Sequence, residues 1–183
     1  VCSFRPSTVF GKSPSLRCDI VYNNFVASAY TSGKILIRSD GSPHRPVIHI
    51  KDVCKALIAG LEAPSELISG KSFNVGIVNG NYSVKELATI VQKIIPDCEI
   101  QFTNQENDPR TYKVSFNKIL NELKDYYKPT INLFEGAHEL INFFKDINFT
   151  KDQFLGPQTN RLKKIEELIN NNVIDNQLKV GKI

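Results

Sequence analysis

The stretch "KSFNVGIVNGNYSVKELATIVQKII" constrains this chain more than any other. It holds a short apolar strand at residues 73–75, stopped by Gly76, and then a strongly marked helix start. Ser83 and Glu86 stand three apart, the spacing at which a hydroxyl and a carboxylate satisfy each other's backbone N–H groups at a helix N-terminus. Behind them Val84, Leu87, Val91, Ile94 and Ile95 form one apolar stripe. A strand that runs into a one-sided helix needs a layered architecture to bury both.

The same alternation runs along the rest of the chain. Residues 1–4 read as a strand, followed by a loop through Gly11, Ser13 and Pro14. Val21, Phe25, Val26 and Ala29 predict a helix over residues 20–32 that ends at Gly33. "KILIRSDGSPHRPVIHI" reads as strand, turn at Asp40-Gly41, and strand. Asp52 is placed to cap the next helix, with Val53, Ala56, Leu57 and Leu61 as its stripe and Pro64 as its stop. "CEIQFT" is a further strand, and helices are expected near residues 116–123 and 131–144. Strands mixed with helices in this way predict an α/β fold.

A hydrophobic fraction of 41% over 183 residues is enough for one core. The net charge of +4 is scattered, with no basic block or stripe, so no nucleic-acid partner is expected. No apolar run approaches a membrane span, so no membrane partner is expected either. Cys2, Cys18, Cys54 and Cys98 show no C-x-x-C spacing, and His44, His49 and His138 no H-E-x-x-H, so no metal site is expected. Free buried thiols point to a reducing cytoplasm. The chain has no methionine and begins at Val1, which suggests a fragment or a processed product. From about residue 146 it becomes rich in Asn, Lys and Asp, which divides it into 1–145 and a C-terminal extension, 146–183. Leu162, Ile165, Leu168 and Ile169 predict one amphipathic, docked helix in that extension.

Several catalytic-looking motifs fail on inspection. Gly11-Lys12-Ser13, Gly33-Lys34-Ile35 and Gly70-Lys71-Ser72 resemble the end of a phosphate-binding loop. The glycine needed five positions earlier is replaced by Pro6, Ser28 and Ser65. Tyr30 and Lys34 match Y-x-x-x-K, a pair that acts as a general base when both stand on one helix face. Gly33 interrupts that helix, so the two are expected on different elements. No glycine-rich dinucleotide loop follows any strand. His49 and Asp52 look like an acid/base pair but read as a strand end and a helix cap.

Taken in order, several stretches resemble one family, the extended short-chain dehydrogenase/reductases. "FRPSTVFG" is similar to its R-x-x-[NT]-x-x-G element. "VYNNFVASAYTSGKILIRSDGSPHRPVIHIKDVCKAL" resembles its substrate-lobe core, with D-G-x-x-x-R-x-[FIV]-[IV]-H-[IV]-x-D inside it. "FNVG" with "NYSVKELA", "DPRTYKVSFNKILNEL" and "RLKKIEELINNNVIDNQLKV" resemble, in turn, its last sheet strand and following helix, its late element and the C-terminal extension of some members. The likeness is to the NAD-dependent nucleotide-sugar epimerases and dehydratases. It implies the C-terminal part of a Rossmann-like fold: the last sheet strands plus a small mixed α/β substrate-binding lobe.

The resemblance also implies roles. Arg45 would fork onto the diphosphate of a nucleotide sugar. Asn24, or Asn23 beside it, would reach the same diphosphate, and Arg110 would close over the ligand from the far side. Pro6, Ser7 and Thr8 would stand against the nicotinamide of an NAD held mainly by an N-terminal half. That half would also carry the glycine-rich loop and the catalytic Y-x-x-x-K, so no catalytic residue is expected here and this chain alone should be inactive. The full-length parent is expected to be a homodimeric, cytoplasmic enzyme. The alternative reading is a non-catalytic module of the same superfamily that binds a ligand or partner.

Overall fold

The computed structural model describes residues 1–103 and 111–180. The strands are β1 (Ser3–Pro6), β2 (Thr8–Phe10), β3 (Lys34–Ile37), β4 (His44–His49), β5 (Ser72–Val75), β6 (Asn81–Ser83) and β7 (Glu99–Phe102). The helices are α1 (Val21–Ser32), α2 (Ile50–Glu62), α3 (Ser65–Ile68), α4 (Val84–Ile94), α5 (Asn117–Glu122), α6 (Leu133–Asp146), α7 (Lys151–Leu155) and α8 (Arg161–Asn170).

One chain segment changes sheet partner at Ser7. β1 pairs in parallel with β5, from Ser3 opposite Ser72 to Pro6 opposite Val75. Ser7 then fixes the corner, donating to the Val75 carbonyl from its amide (3.0 Å) and its hydroxyl (2.9 Å). Beyond it β2 pairs in parallel with β4, which pairs antiparallel with β6. The loop expected after residue 4 is thus partly strand: Thr8–Phe10 carries Val9 and Phe10, apolar residues that fit a pleated, half-buried surface. β3 does not form a hairpin with β4 across Asp40-Gly41; it pairs in parallel with β7, some sixty residues on. Among the described residues β1 pairs only with β5.

Two apolar clusters hold these pieces together. Around α1, β3, α4 and α6 lie Tyr22, Val26, Ile35, Leu87, Leu140 and Phe144. Around α2, β5 and α5 lie Ile48, Ala56, Phe73, Phe116, Leu123 and Tyr127. The start of α4 behaves as the sequence predicts. Ser83 and Glu86 form the capping box of α4, and Asn132 and Glu135 form another on α6. Gly33 ends α1 in the left-handed region at φ 65°, a conformation glycine adopts without a Cβ penalty. Lys34 consequently starts β3 and faces Glu99, while Tyr30 packs on Phe144, so the Y-x-x-x-K spacing makes no pair.

Three expectations change. Asp52 does not cap α2: His49 is the N-cap, its Nδ1 accepting from the Lys51 amide at 3.3 Å. Asp52 is fully buried in the first turn, and its carboxylate accepts from the Thr130 and Ile131 amides at 3.1 and 2.9 Å. The stripe on α8 is only partly covered, with Leu162 exposed at 64%. Of the four thiols, Cys18 and Cys98 are buried but Cys54 is exposed; all four are free. Burial pushes the Cys18 thiol up to about 12, so it is inert at neutral pH.

His49 gives the fold a pH dependence. Its ring is buried against Phe10, and Nε2 lies 3.6 Å from Glu139, which Lys51 also engages at 2.8 Å. Burial lowers the His49 pKa below its ordinary 6.5, the nearby Glu139 opposing that shift. The unfolded chain therefore takes up this proton more readily than the folded one. Stability should fall as pH drops below about 6.5, continuing until the folded ring protonates. Urea midpoints between pH 8 and pH 5 check this, and His49→Gln should flatten the slope. An equal slope in both chains would mean that His49 is not the titrating group.

Candidate functional site

A cavity of about 470 Å³ opens where several element ends meet. The end of β3 and the residues after it supply Ile37, Arg38 and Ser39, and the N-terminal part of α1 supplies Asn24 and Phe25. Arg45 enters from β4, held in place by its pairing with Tyr82 of β6. The exit of a parallel strand beside helix N-termini is where open α/β structures leave room for ligands, because the chain must turn away there.

Among the described residues, two guanidiniums and one carboxylate line the cavity. Arg38 and Arg45 both line it. Arg45 donates from Nη1 to the His44 carbonyl at 2.8 Å, and its guanidinium lies 5.8 Å from the centre of the Tyr112 ring. Asp19, the carboxylate among the described lining residues, is already engaged. Arg17 donates to both of its oxygens at 2.9 Å, and the Arg161 amide reaches it at 3.4 Å. Partial burial pushes the Asp19 carboxyl up, but the hydrogen bonds and charge of Arg17 outweigh that and hold it below its usual range. Two guanidiniums beside a neutralised carboxylate suit an anion with several oxygens, which a guanidinium can fork onto. Phe25, Ile37 and Val84 add an apolar side to the same space.

Of the residues singled out in the sequence, Asn24 and Arg45 come together here. The helix starts at Val21, so Asn24 closes its first turn, and its Nδ2 donates to the Cys18 carbonyl at 2.8 Å. Asn23 is buried and committed elsewhere: Oδ1 accepts from the Gly11 amide at 3.0 Å and Nδ2 donates to the Arg17 carbonyl at 2.9 Å. Gly11 must be glycine at that contact, because its φ is 120° and a Cβ would stand 2.6 Å from His49 Nε2. Pro6, Ser7 and Thr8 do not line this cavity; they form the corner between β1 and β2. Arg110 lies outside the described residues. Among the described residues no cluster of His, Cys, Asp or Glu could hold a metal, and no helix is long and apolar enough to cross a membrane.

Sequence reading missed Arg38, Asp19 and Asn160. Arg38 had a usable signal, since it directly follows the apolar strand Ile35–Ile37 at a strand's C-terminal end. Asn160 had none, because it reaches the cavity only through the packing of the C-terminal segment.

This arrangement, parallel strand pairs with helices and a polar cavity at their ends, is that of a Rossmann-like α/β protein. Residues 1–76 match the sequence model of the NAD dependent epimerase/dehydratase family, which bears out the resemblance read from the motifs. Among solved structures the chain is similar to UDP-glucuronic acid 4-epimerase from Bacillus cereus, at 22% identity and a TM-score of 0.64, over 79% of this chain and 45% of that one. It is similar to UDP-glucose 4-epimerase from Thermotoga maritima at 21% identity and a TM-score of 0.65, over 79% and 46%. It is also similar to L-threonine dehydrogenase from Phytophthora infestans at 14% identity and a TM-score of 0.64, over 80% and 48%. The chain thus spans less than half the length of these structures, and the likeness fixes its fold. The threonine dehydrogenase shows that substrates vary on this fold, so function must be argued from the site.

Proposed function

We propose that this chain is the sugar-nucleotide-binding portion of an NAD-dependent epimerase or dehydratase. The observation that carries the reading is the meeting of Arg45, Arg38 and Asn24 at one cavity with an apolar side. A diphosphate would engage the guanidiniums, and an apolar wall suits the face of a base or sugar ring. Two of the similar structures support the class: one is described as a complex with UDP-glucuronic acid and NAD, the other with UDP-glucose.

The chain's own residues do not make a complete dinucleotide site. No glycine-rich loop is present, the Ser7 hydroxyl is spent on Val75, and Thr8 is paired in β2. The corner at Pro6–Thr8 would be the edge that faces the nicotinamide of an NAD held by other residues. What this chain contributes is anion binding and substrate shape, and by itself it turns over no nucleotide sugar. Its setting is a cytoplasmic enzyme working as a homodimer.

Calorimetric titration of UDP-glucose into the chain tests the reading. Arg45→Ala should weaken binding by roughly tenfold to a hundredfold, since a charge-assisted hydrogen bond contributes about 1.5–3 kcal/mol. Arg45→Lys should restore part of that, because an ammonium keeps the charge but loses the fork. Equal affinity in wild type and Arg45→Ala would remove Arg45 from the site, and no binding by wild type would overturn the reading itself.

A further inference from the structure

The C-terminal segment reaches the candidate cavity and supplies one of its lining residues. Asn160, the residue before α8, lines it together with Asn24 and Arg45. Three contacts carry the segment there. The Cys18 amide donates to the Thr159 carbonyl at 2.8 Å, tying the segment to the loop before α1. The Arg161 amide reaches Asp19 at 3.4 Å. Thr159, itself buried, donates from its hydroxyl to the Gln153 carbonyl at 2.8 Å, which folds the segment back onto α7. Asn160 is therefore bracketed on both sides by residues fixed to the cavity's rim.

The amide of Asn160 is oriented by its second task. Oδ1 caps α8, accepting from the Lys163 amide at 3.2 Å. With the oxygen engaged by the helix, the group that the side chain can offer a ligand is the Nδ2 donor. A donor beside two guanidiniums adds to the same preference for an anion.

We propose that Asn160 is a ligand-contacting residue of this cavity, donating through Nδ2 to a diphosphate oxygen of the bound nucleotide sugar. The inference rests on the sugar-nucleotide reading of the cavity. It gives the C-terminal segment a binding role, through a residue whose two chain neighbours are held by Cys18 and Asp19.

Asn160→Asp separates the capping task from the ligand contact. Aspartate caps a helix as well as asparagine does, so α8 and the thermal midpoint should be preserved. Its carboxylate replaces the donor with a negative charge against the diphosphate. UDP and UDP-glucose, titrated into the chain by calorimetry, should both bind at least about tenfold more weakly. Asn160→Ser, which keeps a capping oxygen and loses the amide, should lose less than the aspartate variant. Asn176→Asp, exposed in the tail, controls for the change in net charge and should bind as wild type. If wild type binds, Arg45→Ala weakens it and Asn160→Asp does not, the contact is wrong while the site stands. If Asn160→Asp weakens UDP-glucose but not UDP, the diphosphate assignment is overturned. If wild type binds neither probe, the site and the contact fall together.

Discussion

Asp52→Ala should lower the stability of this chain by about 3–5 kcal/mol, the usual cost of breaking a buried charged network from one side. The Asp52 carboxylate is fully buried and accepts from three donors. These are the amides of Thr130 and Ile131, at 3.1 and 2.9 Å, and Lys55 Nζ at 2.8 Å. Lys55 also donates to the Thr130 hydroxyl at 2.7 Å, so one cluster joins α2 to the approach to α6. Removing the carboxylate strands two backbone donors at once and takes the counter-charge from Lys55, which keeps the Thr130 hydroxyl. Asp52→Asn should cost less, since one oxygen still accepts. Were Asp52 only a helix cap, the loss would be about 0.5–2 kcal/mol, so the magnitude itself separates the two roles. Urea unfolding followed by circular dichroism gives the number, and a loss below about 1 kcal/mol would mean that the 130–131 turn finds other acceptors.

Phe144→Ala carries the second large effect, about 3–5 kcal/mol, which corresponds to a fall of roughly 6–20 °C in the thermal midpoint of a chain this long. Its ring is fully buried, stacks on Phe149 at 4.5 Å with an interplanar angle of 15°, and meets Tyr30 at 5.4 Å. The cavity left by truncation would open between α6, α1 and the start of the C-terminal segment. Phe149 is the first ring beyond α6, so losing its partner should loosen the C-terminal segment that it anchors. Hydrogen exchange should rise more over residues 150–161 than in α4. A uniform rise would instead mean that Phe144 supports the whole core and not this junction.

Much of the local structure was legible in the sequence. The Ser83–Glu86 capping box, the end of α1 at Gly33 and the strand at Ser72–Val75 all depend on interactions within a few residues, or on φ values few residue types tolerate. The separation of Tyr30 from Lys34 was legible for the same reason: one glycine in the left-handed region stops a helix whatever surrounds it. Arg45 and Asn24 could be singled out because they sit in a motif whose order along the chain matches a family.

The features out of reach depended on partners distant in sequence. An aspartate after a strand and before a helix looks like a cap, and only the arrival of residues 130–131 turns Asp52 into a buried latch. β3 and β4 read as neighbours because they are adjacent in the chain, yet β3 pairs with β7, a choice made by packing α1 and α4 over the same core. Asn160 carries no local mark of a binding residue; it reaches the cavity because Cys18 and Asp19 hold its neighbours. The sequence by itself determined the end of α1, the start of α4 and which helix faces are apolar, since propensity, capping and periodicity act over one or two turns. Only the tertiary structure decided which strands pair, what Asp52 holds and which residues share the cavity. Those depend on burying all the apolar faces together, a condition that no short stretch contains.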